Sequence, residues 1–331
     1  MLREKKNKSM LKRIVVCLLL LVLAIPAAAF GYLYTKLNSI HDSDIVEKPI
    51  PSLDTIEHKA EDDITNILLV GTDGRTTNDS GTRSDAIMIL TVDKSNKTLK
   101  LTSLARDSYV DIEGHGMEKL THAYYFGGIN LLVDTVETNF KLDIQDYIYV
   151  DFFAFMDIVD VLGGVEVDVK SKEIKELYTY TRDCYNLNTN PNKGSLEYIN
   201  NSGVQKLNGY QALAYARIRY TDDAIARDAR QRAILQGVAN GILELPLSQY
   251  NKLLNSVLPY VKTSMSPTKI IGLGTSVLGF GSLNIEQLSF PVHDGVNSTG
   301  GIVGSDGWVL QFDESTLDIL HDFIFGVGAK Q

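Results

Sequence analysis

The sequence predicts an α/β domain with helices on both faces of a mixed sheet, set behind one N-terminal transmembrane helix. Three observations predict it. A basic arm runs into a 21-residue, mostly apolar stretch at the amino end. Short apolar runs that suit buried strands then alternate with helical stretches through the middle of the chain, the order a layered α/β domain requires. No internal repeat or second domain boundary divides the rest of the chain.

The arm, residues 1–13, carries Arg3, Lys5, Lys6, Lys8, Lys12 and Arg13 against Glu4 alone, so the positive-inside bias holds it in the cytoplasm. Residues 14–34 (IVVCLLLLVLAIPAAAFGYLY) are long enough to cross a bilayer, which puts the rest of the chain outside. Ala27, Ala28 and Ala29 would suit a signal peptidase. The apolar run continues through Phe30, Tyr32 and Tyr34, so an uncut anchor is the expectation, with Cys17 facing lipid. Residues 35–63 are polar, contain Pro49 and Pro51, and read as an extracellular stalk.

The domain itself is expected over 64–331. ITNILLVG, 64–71, is a short apolar run ending in glycine, as a buried central strand would be. Residues 86–92 and 98–104 flank the turn-like DKSNK and predict a β-hairpin beside it. A helix over 128–140, a strand over 146–151, a helix over 152–162 and a strand over 165–169 follow. The stretch 170–204, rich in Asn, Tyr and charge, reads as a surface insertion or lid. Helices are expected over 208–216, with Asn208 as cap, over 226–243, and from 247 to about 261. Another starts at the Ser266-Pro267 cap and runs to 278. Edge strands at 285–290 and 308–312 and a closing helix over 314–325 complete the reading.

Net charge is −9, and because the first 35 residues hold six basic side chains and one acidic, the remainder carries −14. That balance excludes nucleic acid as a partner. Cys184 is the only cysteine beyond the apolar stretch, so no internal disulfide and no cysteine zinc site can form.

Against this acidic background Arg217, Arg219, Arg227, Arg230 and Gln231 lie within fifteen residues. On a helix Arg227, Arg230 and Gln231 stand at i, i+3 and i+4, and on an extended segment Arg217 and Arg219 share a face. Two guanidiniums roughly 6 Å apart repel by about 3 kcal/mol at an effective dielectric of about 20. A diphosphate, matched to the guanidinium fork, is the natural neutraliser. The competing reading is a solvated helix whose arginines pair with Asp222, Asp223 and Asp228.

Asp73 and Arg75 fall just past the carboxyl end of the first expected strand, where open α/β sheets bind ligands. Arg83 and Asp85 precede the hairpin and bring a second carboxylate to the same edge. Two carboxylates suit a hard cation such as Mg²⁺, or Mn²⁺, that shares phosphate oxygens. Arg106 ends the next strand, and Lys119 lies in EKLTHAY. His122 reads as structural, Gly127-Gly128 and Gly163-Gly164 as turns, and Tyr124, Tyr125 and Phe126 as core or groove wall.

Taken in order, NILLVGTDGR, RSDAIM, SLARD, KLTHAYYFGG, VDVLGGVEVDV, LNGYQALAYARIRY and RDARQR resemble the LytR-CpsA-Psr family of envelope proteins, over about Asn66 to Arg232. The resemblance implies an α/β/α sandwich that binds a polyprenyl diphosphate. It also implies a phosphotransferase moving a glycopolymer, such as teichoic acid or capsule, from that lipid onto a peptidoglycan hydroxyl at the outer face of the membrane. Asp73 and Asp85 match the family's Mg²⁺-associated aspartates. Arg83, Arg106, Arg217, Arg219, Arg227 and Gln231 match its diphosphate contacts, with Arg75, Lys119 and Arg230 as further candidates. The candidate catalytic residues are Arg106 for charge neutralisation and Asp73 or Asp85, with Asp223 as the alternative, for the hydroxyl proton. Two positions depart from the family pattern: Ala105 stands where Pro is common, and Ala224 where many members have Asp. The rival readings are a hydrolase of the same diphosphate and a non-catalytic lipid-binding regulator.

Overall fold

The computed structural model describes residues 31–41, 61–72, 83–218, 224–280 and 285–326. The expected transmembrane segment lies mostly outside these residues, as do Asp73, Arg75, Arg219 and Asp223. Among the described residues no helix is long and apolar enough to cross a membrane.

A six-stranded mixed sheet organises the chain. Strand β1 (Ile64–Thr72) pairs antiparallel with β2 (Ser84–Asp93), which turns back into β3 (Thr98–Leu104), so the expected hairpin forms. Two short strands, β4 (Tyr109–Ile112) and β5 (Gly116–Lys119), lead into helix α2 (Leu120–Phe140), the helix at residues 31–38 being α1. Then β6 (Asp146–Val150) joins β1 in parallel. Helix α3 (Phe152–Val161), strand β7 (Val165–Val169), helix α4 (Ile174–Leu187), strand β8 (Gly203–Leu207) and helix α5 (Gly209–Ala216) build a second layer. Helices α6 (Ala224–Glu244) and α7 (Leu247–Val257) follow, then β9 (Val261–Thr263), α8 (Pro267–Leu278) and β10 (Ile285–Phe290). The hairpin β11 (Ser298–Val303) and β12 (Gly307–Phe312) precedes the closing helix α9 (Leu317–Phe325). The sheet order is β10-β3-β2-β1-β6-β9.

Side chains alternate along β1, and each parity has its own cover. Leu68 and Val70 join Ile87, Ile89 and residues of α2 and α9 in the largest core cluster. Ile67 and Leu69 face the other way, toward Ile270, Leu273 and Val277 of α8. Helices therefore cover both faces, as the alternation of elements requires. Residues 170–204 carry α4, whose Leu177 and Cys184 are buried in a second cluster with α3, β7, β8 and α5.

Helix α1, which takes in the last residues of the expected transmembrane segment and the start of the expected stalk, lies against the domain. Tyr32 donates to Asn251 at 2.6 Å, Lys36 to Asn255 at 2.8 Å, and Leu37 and Ile40 bury against Leu258.

Register fixes where the site lies. Gly71 sits opposite Val150 in the parallel pair and opposite Ala86 in the antiparallel one. Met88 faces Ser103, and Leu104 faces Phe290. The carboxyl ends of β1, β6, β3 and β10 thus meet the start of β2 along one rim.

Candidate functional site

Asp85 is the second residue of β2, and Arg106 lies two residues past β3, so the hairpin register sets them side by side. Asp85 Oδ1 accepts from Arg106 Nη1, and Arg106 Nε lies 3.5 Å from Asp107 Oδ2. Lys119, at the foot of α2, places Nζ 3.7 Å from Asp107 Oδ1. With Arg83, Thr121, His122 and Asp306 these side chains line a polar pocket of about 350 Å³. His122, in the first turn of α2, holds Nδ1 2.6 Å from Glu118 Oε2.

A second cavity, of about 190 Å³, opens between the sheet and the α3, α5 and α6 layer. Its walls include Leu69, Met88, Phe155, Leu213, Ile234 and Val238, and its rim includes Asp85, Arg217, Arg227 and Gln231. Asp85 therefore borders both spaces. An apolar cavity of about 150 Å³ already suffices to take up benzene. A trough of this size and lining suits hydrocarbon, and its mouth carries Arg217 and Arg227 beside Asp85.

Local capping explains how each rim residue is held. Asn208 caps α5 in a reciprocal capping box with Gln211, and Arg217 ends that helix in the right-handed region, where an extended segment was expected. Arg217 stacks over Phe152 at 5.2 Å and donates to Cys184 Sγ at 3.7 Å. Burial pushes the Cys184 thiol up to about 11, the neighbouring Arg217 charge opposing, so the sulfur stays a neutral acceptor at pH 7. Asp151 is the N-cap of α3, accepting from the Phe153 and Ala154 amides, and lines the apolar cavity. Burial raises its carboxyl, those two amides opposing.

Along α6 the expected cluster divides. Arg227 and Gln231 reach the cavity rim, but Arg230 turns into the second core. There it pairs with Glu173 at 2.9 Å and donates to the Ile218 carbonyl at 2.8 Å, so its charge is committed away from the rim. Arg232 clamps α6 to the sheet edge through Ser103 at 3.0 Å and Ser289 at 2.6 Å. Of the other sequence candidates, Arg83, Asp85, Arg106 and Lys119 share the polar pocket and Arg217 joins the rim. Asp306 and Asp151 escaped the sequence reading. Asp306 lies in an ordinary hairpin turn, and Asp151 carries the signal of a helix cap, which says nothing of a cavity.

The sequence pattern of the LytR_cpsA_psr family matches residues 28–318. The chain belongs to the LytR-CpsA-Psr family. A LytR-CpsA-Psr relative named polyisoprenyl-teichoic acid–peptidoglycan teichoic acid transferase TagT, from Bacillus subtilis (strain 168), is 32% identical over 296 residues, covering 87% of this chain and 88% of its own. A solved structure of TagT bound to LI-WTA superposes with a TM-score of 0.63 at 27% identity, over 81% of this chain and 94% of that one. A structure of the LytR-CPS2A-psr family protein YwtF (TagT) with bound octaprenyl pyrophosphate lipid gives a TM-score of 0.59 at 26% identity, over 81% and 95%. The mixed α/β fold with a central mixed sheet is thus that of LytR-CpsA-Psr proteins.

Proposed function

We propose that this protein is a membrane-anchored phosphotransferase at the outer face of the cell membrane. It moves an anionic glycopolymer, of which teichoic acid is the leading case, from a polyprenyl-diphosphate carrier onto peptidoglycan. The observation that carries the reading is the shared border at Asp85. An apolar cavity for a prenyl chain and a pocket lined by Arg83, Arg106 and Lys119 for phosphate meet there. The named activity of TagT and the octaprenyl pyrophosphate in a related structure support it.

The prenyl chain occupies the trough between the sheet and α6, its desolvation supplying affinity. Arg217, Arg227 and Gln231 hold the diphosphate at the mouth, and Arg106 and Arg83 reach it from the polar side. Guanidinium forks match phosphate oxygens and oppose the charge that builds on the leaving group, which is most of what phosphoryl transfer asks of a protein. Asp85 and Asp73 would hold a Mg²⁺ ion. Asp85 offers hard oxygen donors on the polar pocket, and Mg²⁺ needs only one or two protein carboxylates beside phosphate and water, so the residues present fit it. When bound, the ion supplies further neutralisation of the diphosphate.

Thermal shift with a polyprenyl diphosphate and with the matching prenyl alcohol tests binding. The diphosphate should raise the melting temperature and the alcohol should not, and Arg227→Ala should abolish the shift. Incubation with a lipid-linked teichoic-acid precursor and glycan strands should yield polymer joined to glycan through a phosphodiester. Polymer released into water with none joined would replace transfer by hydrolysis. Binding with neither product would leave a lipid-binding regulator.

A further inference from the structure

We propose that His122, oriented by Glu118, is the general base that takes the proton of the acceptor hydroxyl. The inference rests on the transferase reading above. Neither the family resemblance nor the relatives assign this pair.

Glu118 lies near the end of β5 and His122 four residues on, in the first turn of α2. The strand-to-helix junction brings Glu118 Oε2 within 2.6 Å of His122 Nδ1. A carboxylate only accepts, so Nδ1 donates, and in the neutral ring that leaves the lone pair on Nε2. Nε2 has no hydrogen-bond partner among the described residues, while the ring edge meets Phe126, centroids 6.0 Å apart. The imidazole lines the polar pocket with Arg83, Asp85 and Arg106, the groups that face the phosphates. Lys119, the remaining cation of that pocket, is held by Asp107 at 3.7 Å. Asp85 already accepts from Arg106 Nη1. Among the described residues that line this pocket, His122 is the group built to receive a proton.

The prenyl chain fills the apolar side of Asp85, so the acceptor enters from the polar side, where His122 stands. The acceptor oxygen forms a new bond to the glycopolymer-side phosphorus while its proton passes to Nε2. The bond from that phosphorus to the bridging oxygen breaks, and its electron pair leaves on prenyl phosphate. Glu118 stabilises the imidazolium until the proton passes to solvent or to the departing phosphate.

The test uses the full chain in detergent with a lipid-linked teichoic-acid precursor and glycan strands. His122→Asn should lower kcat by about a hundredfold or more, keep the melting shift with polyprenyl diphosphate, and recover in part with added imidazole. Glu118→Gln acts through positioning and should lower kcat by about tenfold or more with KM for the lipid unchanged. His115→Gln, whose ring stacks on Phe126 at 3.9 Å outside the pocket lining, should transfer normally. If His122→Asn fails to fold, Glu118→Gln and the imidazole-free kcat carry the test. Transfer at the normal rate by either dyad variant would overturn the assignment and leave the transferase reading standing. A wild-type protein that binds lipid but forms no product would overturn both.

Discussion

Arg227, Arg230 and Arg232 lie within two turns of α6 and serve three different purposes. Each residue turns the helix by about 100°, so Gln231 lies about 40° from Arg227 and Arg230 about 60° away on the other side. The spacing read from sequence put all three of Arg227, Arg230 and Gln231 on one face. That face is broad enough for Glu173, 57 positions away in the chain, to capture Arg230 at its edge. Arg227 and Gln231 were legible because helical periodicity is local; the partner of Arg230 was not, because nothing local announces it. Glu137 is a second case, and it makes a prediction. It is 1% exposed inside α2, with Oε1 accepting from the Ile144 amide at 3.0 Å and Oε2 without a hydrogen-bond partner among the described residues. Burial pushes its carboxyl up to about 8, with the Ile144 amide opposing. Between 4.5 and about 8 the native state keeps a proton that the unfolded chain has released. Stability is therefore fullest below the unfolded value and declines as pH rises through that window. Glu137→Gln keeps the acceptor and removes the titration. Urea unfolding at pH 5 and pH 8 should show wild type losing, relative to Glu137→Gln, on the order of a few kcal/mol; parallel pH dependence of the two proteins would refute the assignment.

At the scale of elements, the contact between α3 and α5 determines where Arg217 ends up. Gly209 opens α5 with its N–H donated to Asp160 Oδ1 at 2.7 Å, and a Cβ there would lie 2.3 Å from the Met156 carbonyl oxygen. That neighbour is backbone and cannot swing away. Gly209→Ala should therefore lower stability by about 3 kcal/mol or more. It should also displace the carboxyl end of α5, so the lipid-dependent melting shift should fall with it. A variant with wild-type melting and wild-type lipid shift would show that the junction has room. The cap at Asn208 was readable from the sequence, as were β1, the β2–β3 hairpin, α3, β7 and the Ser266 cap of α8. Helix α4 was not. Its buried stripe is Leu177, Thr181 and Cys184 amid polar residues, too narrow and too mixed to declare a period. Helix α2 was read only from Gly128 because Gly127 and Gly128 leave helical geometry, Gly128 at φ +67, and break the pattern in its middle. Strand β11 hides behind Gly300 and Gly301, and the Trp308 ring of β12 covers the space a side chain at Gly300 would need.

For the whole molecule, the apolar trough is the feature that sequence could least reveal. Its walls come from β1, β2, β6, α3, α5 and α6, and each apolar residue lining it also looks like ordinary core. The sheet face that carries Leu69 and Met88 fails to close completely against the core of α3, α5 and α6, so the space belongs to the packing of layers rather than to any segment. The motifs, by contrast, mark the rim, because charged and glycine positions are conspicuous where apolar ones are not. This division gives a test that separates the trough from the headgroup site. Val238 lies on α6 along the trough wall, well beyond the turn that carries Arg227 and Gln231. Val238→Phe adds volume into existing space, so the usual overpacking cost of about 1–3 kcal/mol should be largely offset by new contacts. Melting should stay near wild type. Octaprenyl diphosphate should then bind at least about tenfold more weakly, a difference of about 1.4 kcal/mol, because the chain and the new ring compete for one space. A diphosphate bearing only a short isopentenyl tail should bind unchanged, since Arg217, Arg227 and Gln231 are untouched. Equal weakening of the long and short lipids would mean that the substitution had disturbed the rim. Unchanged affinity for the long lipid would place the prenyl chain outside this trough altogether.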